Sequence, residues 1–238
     1  MRINDDLRSY LEGKSFRSAL GVTVRCHAGR VLGRREFLVS LASGKRVIHL
    51  GCVDHENLIV EKLARGVWLH SLLMEVAEEC VGVDINRAGV ELLKHKFGIS
   101  NIFAVDLTRE QIPLPSTRKW DYLLAPEVVE HVDNPVEFLR GVRENMLKHV
   151  TEFVVTAPNA FAIDNFTSAL KSREWINSDH RYWFTPYTLA KVMTRAGYTV
   201  ARIEMCASLS EVGRIWKRIL LQKCPLLRPS IVVIGWPS

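Results

Sequence analysis

The sequence predicts an α/β fold: a mostly parallel β-sheet with helices on both faces. Three observations carry that expectation. From residue 45 onward, short apolar runs rich in β-branched residues alternate with stretches of helical periodicity. These runs are apolar almost throughout, as strands buried on both faces are. Several end on a glycine or an acidic residue, where an open parallel sheet meets its ligand.

Residues 1–44 show weak periodicity, then Gly21, Gly29 and Gly33, then the apolar run 37–41. They are expected to form an N-terminal cap of one or two short helices, ahead of a main domain over 45–238. Residues 46–50 (RVIHL) read as the first strand, ending at Gly51. A helix follows over 71–79, and 80–83 (CVGV) is the second strand, ending at Asp84. Residues 87–96 are helical, with Ala88, Val90, Leu92 and Leu93 inward. The third strand is 101–105, ending at Asp106, and the fourth is 120–125 (WDYLLA). Asn134-Pro135 fits an N-cap followed by a first-turn proline, opening a helix to about residue 148. The fifth strand is 152–157 (EFVVTA), ending at Pro158. A helix over 186–196 is stopped by Gly197, and strands six and seven are 198–205 and 231–236. Between these two, a helical insertion at about 208–225 holds the amphipathic stretch 211–221 (EVGRIWKRILL), and the last strand is expected to be antiparallel.

Composition narrows the class. The chain has 238 residues, 47% hydrophobic and 24% charged, which is the globular range and excludes a disordered, collagen-like or coiled-coil protein. No uncharged run approaches the roughly 20 residues that span a bilayer. The start, MRINDDLRSYLEGK, lacks the basic and apolar regions of a signal peptide, so a cytoplasmic protein is expected. Cys26, Cys52, Cys80, Cys206 and Cys224 form no CxxC pair and read as free thiols in a reducing compartment. Lys and Arg number 32 and Asp and Glu 26, a net charge of +6. The excess is spread thinly, as a solvated basic surface that permits an anionic partner without requiring nucleic acid.

The strand ends suggest a ligand. Gly51 lets a ligand approach the backbone. Asp84 can accept both hydroxyls of a ribose, and Asp106 can accept from the exocyclic amine of adenine. Together they suit an adenosine with an unmodified ribose. A dinucleotide site would need GxGxxG, which is absent.

With VIHLGC (47–52), CVGVDI (80–85), FAVDLT (103–108), WDYLLAPEVVEHVDNPVEFL (120–139) and YWFTPYTLAKVMTRAGY (182–198), the chain resembles the class I S-adenosylmethionine-dependent methyltransferases. That resemblance implies a Rossmann-like, seven-stranded sheet with an antiparallel last strand, and S-adenosyl-L-methionine as cofactor. It implies Gly51 under the methionine part, Asp84 on the ribose, and Asp106 with Leu107 at the adenine. Cys52, Ile85 and Pro126 complete the implied cofactor set. The chain departs from the family in keeping only the first glycine of GxGxG. Its longer gap to Asp84 makes 54–70 read as an inserted loop.

Directly after strand four stand Glu127, Glu130 and His131. On a helix, spacings of three and four would put all three on one face. Two functional readings stay open. His131 could be a general base that deprotonates an acceptor hydroxyl, beside Glu127 and Glu130. Alternatively the cluster could hold Mg²⁺, Mn²⁺ or Fe²⁺. The ExxEH motif resembles that of metal-dependent methyltransferases acting on the terminal ribose of small RNAs, and one in ubiquinone-pathway O-methyltransferases. By the first resemblance His180, downstream of TAPN (156–159), joins Glu127, Glu130 and His131 as a metal ligand. A structural reading makes the cluster a surface turn, with Asp133 and Asn134 capping the next helix. Asn159, His180, Arg181 and Tyr182 are the candidate substrate residues, with Trp175, Trp183, Phe184 and Tyr187 as core or as acceptor wall. His49, His55 and His70 read as packing or loop residues. Helix 211–221 reads as a docked helix, with a lid or dimer contact preferred to a membrane-surface contact.

The expected function is S-adenosylmethionine-dependent O-methylation of a small hydroxylated or phosphorylated acceptor. A resemblance to bacterial surface-polysaccharide enzymes points to a sugar or polysaccharide precursor. An RNA ribose 2′-O-methyltransferase is less favoured, because no basic stripe or appended RNA-binding domain is seen. A non-catalytic cofactor-fold module is the third alternative, and a homodimer is compatible with all three.

Overall fold

A computed structural model describes residues 1–25, 30–54, 56–113 and 119–238. Cys26, Gly29 and His55 lie outside the described residues. Seven strands form one sheet: β1 Arg46–Leu50, β2 Glu79–Asp84, β3 Ile102–Ala104, β4 Trp120–Pro126, β5 Val150–Pro158, β6 Tyr198–Cys206 and β7 Ser230–Pro237. Their order is β3-β2-β1-β4-β5-β7-β6. Strands β1 to β5 pair in parallel, while β7 runs antiparallel to both β5 and β6. The final strand is antiparallel, as expected. Since β6 then runs with the other five, Pro158, Cys206 and Ser230 meet on one rim, the one where β1, β2 and β4 also end.

The described helices are α1 Asp5–Glu12, α2 Arg34–Ala42, α3 Glu56–Ala64, α4 Leu69–Val76, α5 Arg87–Phe97, α6 Pro135–Met146, α7 Ile163–Ala169, α8 Pro186–Arg195 and α9 Ile215–Lys223. Successive strand residues feed opposite faces. Ile48, Leu123, Phe153 and Val233 join a core with Leu11, Leu139 and Met193 of α1, α6 and α8. Their neighbours Val47, Leu124, Val154 and Val232 join the other core, with Leu38 of α2 and Leu73 of α4. Burial on both sides is why the strands carry so few polar residues. Each such side chain contributes roughly 1.5–3 kcal/mol.

Local signals set the helix ends. Asn134 accepts from the Glu137 amide at 3.2 Å and Pro135 occupies the first turn of α6. Asn86 caps α5, and Gly98 closes it at φ +68°. Thr185 caps α8, which gives way to Gly197 at φ +92°.

The N-terminal residues pack onto both cores. Ile3 and Leu11 join the first, Leu38 and Ala42 the second, and Arg2 bridges Arg202 on the edge strand β6. Several expectations are corrected. The 54–70 stretch holds α3 and the start of α4, because Ile59 and Trp68 find an apolar seat with Cys52, Val90 and Leu93. The helix expected over 71–79 ends at Val76, since Glu78 and Glu79 turn their amides to the Lys45 carbonyl and Glu79 opens β2. The insertion helix starts at Ile215 and not at residue 211, after a short 3-10 turn over Leu209–Glu211 and a non-helical stretch through Gly213. Helix α7 has no sequence signal. Its buried Ile163 and an ion pair from Lys217 to Asp164 fasten it.

Candidate active site

The cofactor side is built from the ends of β1, β2 and β3. Gly51 has φ +74°, a left-handed conformation that disfavours any side chain. A Cβ there would lie 2.6 Å from Val128 Cγ2, so the end of β1 sits directly against the turn after β4. Asp84 is 7% exposed. One carboxylate oxygen accepts from the Val53 amide at 2.8 Å, and the other from the Asn86 amide at 2.9 Å. Burial raises its pKa, and these backbone donors work in the opposite direction. An ionised carboxylate has about four lone-pair sites, so roughly two remain for a diol. Asp106 accepts from the Thr108 amide and hydroxyl at 3.0 and 2.6 Å, and Arg109 approaches its other oxygen. The glycine cradle and the spare acceptors of Asp84 suit an adenosyl ligand.

The remaining residues of the expected cofactor set differ in placement. Ile85 is 76% exposed at the rim. Leu107 is a core residue, and Pro126 is buried at the end of β4. Cys52 points its thiol into the cluster with Ile59 and Trp68, and burial pushes that thiol well up. Its carbonyl accepts from Trp68 Nε1 at 3.0 Å.

The second half of the rim is the turn after β4. Residues 127–131 are not helical, which corrects the one-face arrangement. Glu127 adopts φ +55°, rare for a residue with a side chain, and its amide binds the Thr156 carbonyl at 3.1 Å. This kink separates the two glutamates. Glu127 pairs with Arg34 of α2. Glu130 turns inward and is fully buried, and neither carboxylate oxygen has a hydrogen-bond partner. Burial pushes its pKa up to about 8, with a further rise from Glu127.

Facing Glu130 are two imidazoles. The His131 and His180 rings meet edge to face with centroids 4.6 Å apart. One ligand atom each from Glu130, His131 and His180 lies within 4.8 Å of the others. Nδ1 of His180 is buried without a partner, and burial together with His131 lowers the His180 pKa. The Arg181 amide donates to the Glu130 carbonyl at 2.7 Å, which locks the two segments together. So three of the four expected ligands converge, and Glu127 does not.

An open cavity of about 380 Å³ adjoins them, lined by His131, Ser178, Asp179, His180 and Arg181. Of the candidate substrate residues, His180 and Arg181 line it. Arg181 Nε is 2.8 Å from Asp133, and Tyr182 donates its hydroxyl to the Asp133 carbonyl at 2.6 Å. Asn159 is fully buried as a clamp: its amide nitrogen donates to the Leu226 and Arg228 carbonyls, both at 2.7 Å. Of the aromatic residues, Phe184 is core while Trp175 is exposed. Arg34 was not foreseen, because no local motif links α2 to a turn that follows β4.

The other histidine pair sits under the sheet. His49 Nδ1 and His70 Nδ1 are 3.4 Å apart, and Cys80 Sγ is 3.7 Å from the latter. Both are buried. Burial and mutual repulsion lower the pKa of His49, and burial lowers that of His70 to about 4. They are neutral packing residues.

A sheet ordered 3-2-1-4-5-7-6 with an acidic residue closing β2 defines a class I methyltransferase, which takes its methyl group from S-adenosylmethionine. The chain belongs to the family described as "Methyltransferase domain", whose profile matches residues 28–203. Among solved structures it is similar to the small RNA methyltransferase HEN1, with 17% identity over 86% of this chain and a TM-score of 0.56. The chain spans about a quarter of the HEN1 chain, 25%. It is also similar to a SAM-dependent methyltransferase from Archaeoglobus fulgidus, at 21% identity, 85% and 94% coverage of the two chains and a TM-score of 0.51. A third is the magnesium protoporphyrin IX methyltransferase of Synechocystis PCC 6803 with bound SAH, at 12% identity, 86% and 82% coverage and a TM-score of 0.50. No protein in the search of curated sequences matches significantly. Among the described residues, no helix is long and apolar enough to cross a membrane.

Proposed function

We propose that this methyltransferase modifies an oxygen of a hydroxylated acceptor, and that Glu130, His131 and His180 hold a divalent cation beside it. The observation that carries this reading is the Glu130 carboxylate, buried with no side-chain donor and facing two imidazoles. An unpaired buried carboxylate costs several kcal/mol, so it takes up a proton or pairs with a cation. One carboxylate and two imidazoles suit Mn²⁺ or Fe²⁺ better than Mg²⁺, which prefers oxygen. A cation there would supply Lewis acidity that lowers the pKa of an acceptor hydroxyl. S-adenosylmethionine, when bound, supplies a methyl carbon activated by the sulfonium.

The chain's own residues do the rest. Asp84 accepts from the ribose, and the bare backbone at Gly51 lets the donor lie close to the turn that carries Glu130. His131 and His180 orient the acceptor at the cavity mouth. Alignment of nucleophile and methyl carbon is then the main source of rate. His131 acting as a base without a cation is the competing reading, in which Glu130 is held as the neutral acid. The modest polar cavity favours a small acceptor such as a sugar or polysaccharide precursor. A terminal ribose of RNA, suggested by the fold shared with HEN1, is less favoured because Arg181 is already paired with Asp133.

The test is Mn²⁺ binding followed by electron paramagnetic resonance, alongside calorimetry with S-adenosylhomocysteine. Wild type should bind one Mn²⁺ per chain, and Glu130→Gln should bind none while keeping its affinity for S-adenosylhomocysteine. Mn²⁺ binding that survives in Glu130→Gln would remove the cation from this site.

A further inference from the structure

We propose that the rim bearing α7 and α9 is a membrane-docking surface, and that it takes the interface of a bilayer rich in anionic lipid. Large apolar side chains are exposed along two neighbouring segments. Phe161, Phe166 and Leu170 stand along and beside α7, with Trp175 and Ile176 beyond it; Leu170 and Trp175 are each 72% exposed. On α9, Ile215, Trp216 and Ile219 are exposed, Ile215 to 74%. Only Leu221 of α9 is fully buried, in a cluster with Ile163 and Ala207. The helix anchors by Leu221 and the half-buried Leu220 and turns another apolar flank outward. Lys217 binds both carboxylate oxygens of Asp164 at 2.6 and 2.8 Å, which joins α9 to α7 as one surface. Between α7, Trp175, Trp183 and Leu226-Leu227 lies a mostly apolar groove of about 520 Å³.

Charge selects the occupant. Lys171, Arg173, Arg214, Arg218 and Lys223 are exposed around these apolar residues, and none forms an ion pair among the described residues. The nearby acids are engaged: Asp164 by Lys217, Glu174 by the Trp183 indole at 2.9 Å, and Glu211 by Arg35. Apolar side chains including tryptophan, flanked by unpaired cations on a short helix, form the pattern of a helix that lies in a membrane interface. Two copies meeting on this face would instead bring like charges together. An exposed apolar surface of this kind on a folded domain needs a cover.

Topology gives the surface a purpose. The connections after β5 and β6 both rise from the rim that carries His131 and His180. Trp183, in the groove wall, has its ring centroid 6.4 Å from that of His180. A bilayer seated here faces the acceptor side, so the hydroxyl methylated is one carried at headgroup level. This last step rests on the proposed acceptor site, whereas docking itself does not.

Co-sedimentation with vesicles of phosphatidylcholine alone, and of phosphatidylcholine mixed with phosphatidylglycerol, tests docking without cofactor or cation. The intact chain should sediment with the mixed vesicles and far less with the neutral ones, and added salt should weaken binding. The double variant Ile215→Glu/Trp216→Glu should lose at least about tenfold in vesicle binding, with its affinity for S-adenosylhomocysteine unchanged. Leu170→Glu on α7 should act in the same direction. Absence of sedimentation with either vesicle, or binding unchanged in both variants, overturns docking and leaves the methyl-transfer reading intact. A solution dimer that the double variant dissolves, in a chain that ignores vesicles, reassigns the face to a second copy.

Discussion

Asp84 and Glu130 lie on opposite sides of β1, each a buried carboxylate at the ligand rim, and each with its pKa raised by burial. At the end of β2, the backbone of Val53 and Asn86 turns two N–H groups onto Asp84. In the turn after β4, only its own backbone amide and the charge of Arg34 favour the ionised form of Glu130, and no other group turns a donor onto it. The cofactor half of the rim therefore has its electrostatics completed by the chain. The acceptor half leaves its carboxylate without comparable donors, and His131 and His180 converge on it. Completeness on one side gives a fixed seat for an adenosyl group. Incompleteness on the other gives a site whose strength depends on what enters it.

Four measurements would break or sharpen this contrast. The largest effect is expected at Glu130. Under the proposed reading, Glu130→Gln lowers turnover by about 10³-fold or more, with affinity for S-adenosylhomocysteine within a few-fold of wild type. Equal losses in both would make Glu130 a packing residue. Next is Asp84→Ala, which under the proposed reading removes two charged hydrogen bonds to the ribose and should weaken S-adenosylhomocysteine about 100-fold by calorimetry. Retained affinity would move the cofactor seat elsewhere.

The third measurement is acid stability. The buried pair His49 and His70 has pKa values below the unfolded value of about 6.5, so the unfolded chain binds more protons below that pH. Stability from this pair is fully present above about pH 6.5 and falls as pH drops toward about 4, by about 3 kcal/mol for His70 alone. Because Glu130, with its pKa raised to about 8, changes stability in the opposite direction over this range, the loss should appear as the difference between thermal melts of wild type and His70→Leu. The smallest effect is expected at Gly51. Gly51→Ala forces a left-handed alanine and presses on Val128, costing about 1–2 kcal/mol in chemical denaturation. Because Val128 belongs to the same turn as Glu130, the variant should also disturb Mn²⁺ binding. If it leaves Mn²⁺ binding intact, the two halves are mechanically independent.

The same contrast explains what could be read from the sequence. Periodicity and strand-end residues were enough for the sheet, because strands buried on both faces leave long apolar runs, and caps such as Asn134-Pro135 act within a single turn. Asp84 closes β2 as expected, because a strand end is a local feature, whereas β3 stops at Ala104, two residues before Asp106. Residues 127–131 were not, since the left-handed kink at Glu127 and its pairing with Arg34 depend on contacts between distant parts of the chain. Helical spacing therefore grouped Glu127 with Glu130, and the backbone pulls them apart. Asn159 misled in the opposite way. Its place after β5 suggested ligand contact, and its burial turns it to the chain's own carbonyls.

That asparagine has a consequence of its own. By holding the carbonyls of Leu226 and Arg228, it fastens the stretch behind α9 to the tip of β5. Under the proposed docking, a lipid leaflet resting on Trp216 would be held by this tie to the tip of β5, whose rim also carries the two imidazoles. The fold would act as a ruler, reaching hydroxyls at one depth of the headgroup layer and passing over those nearer to or farther from the water.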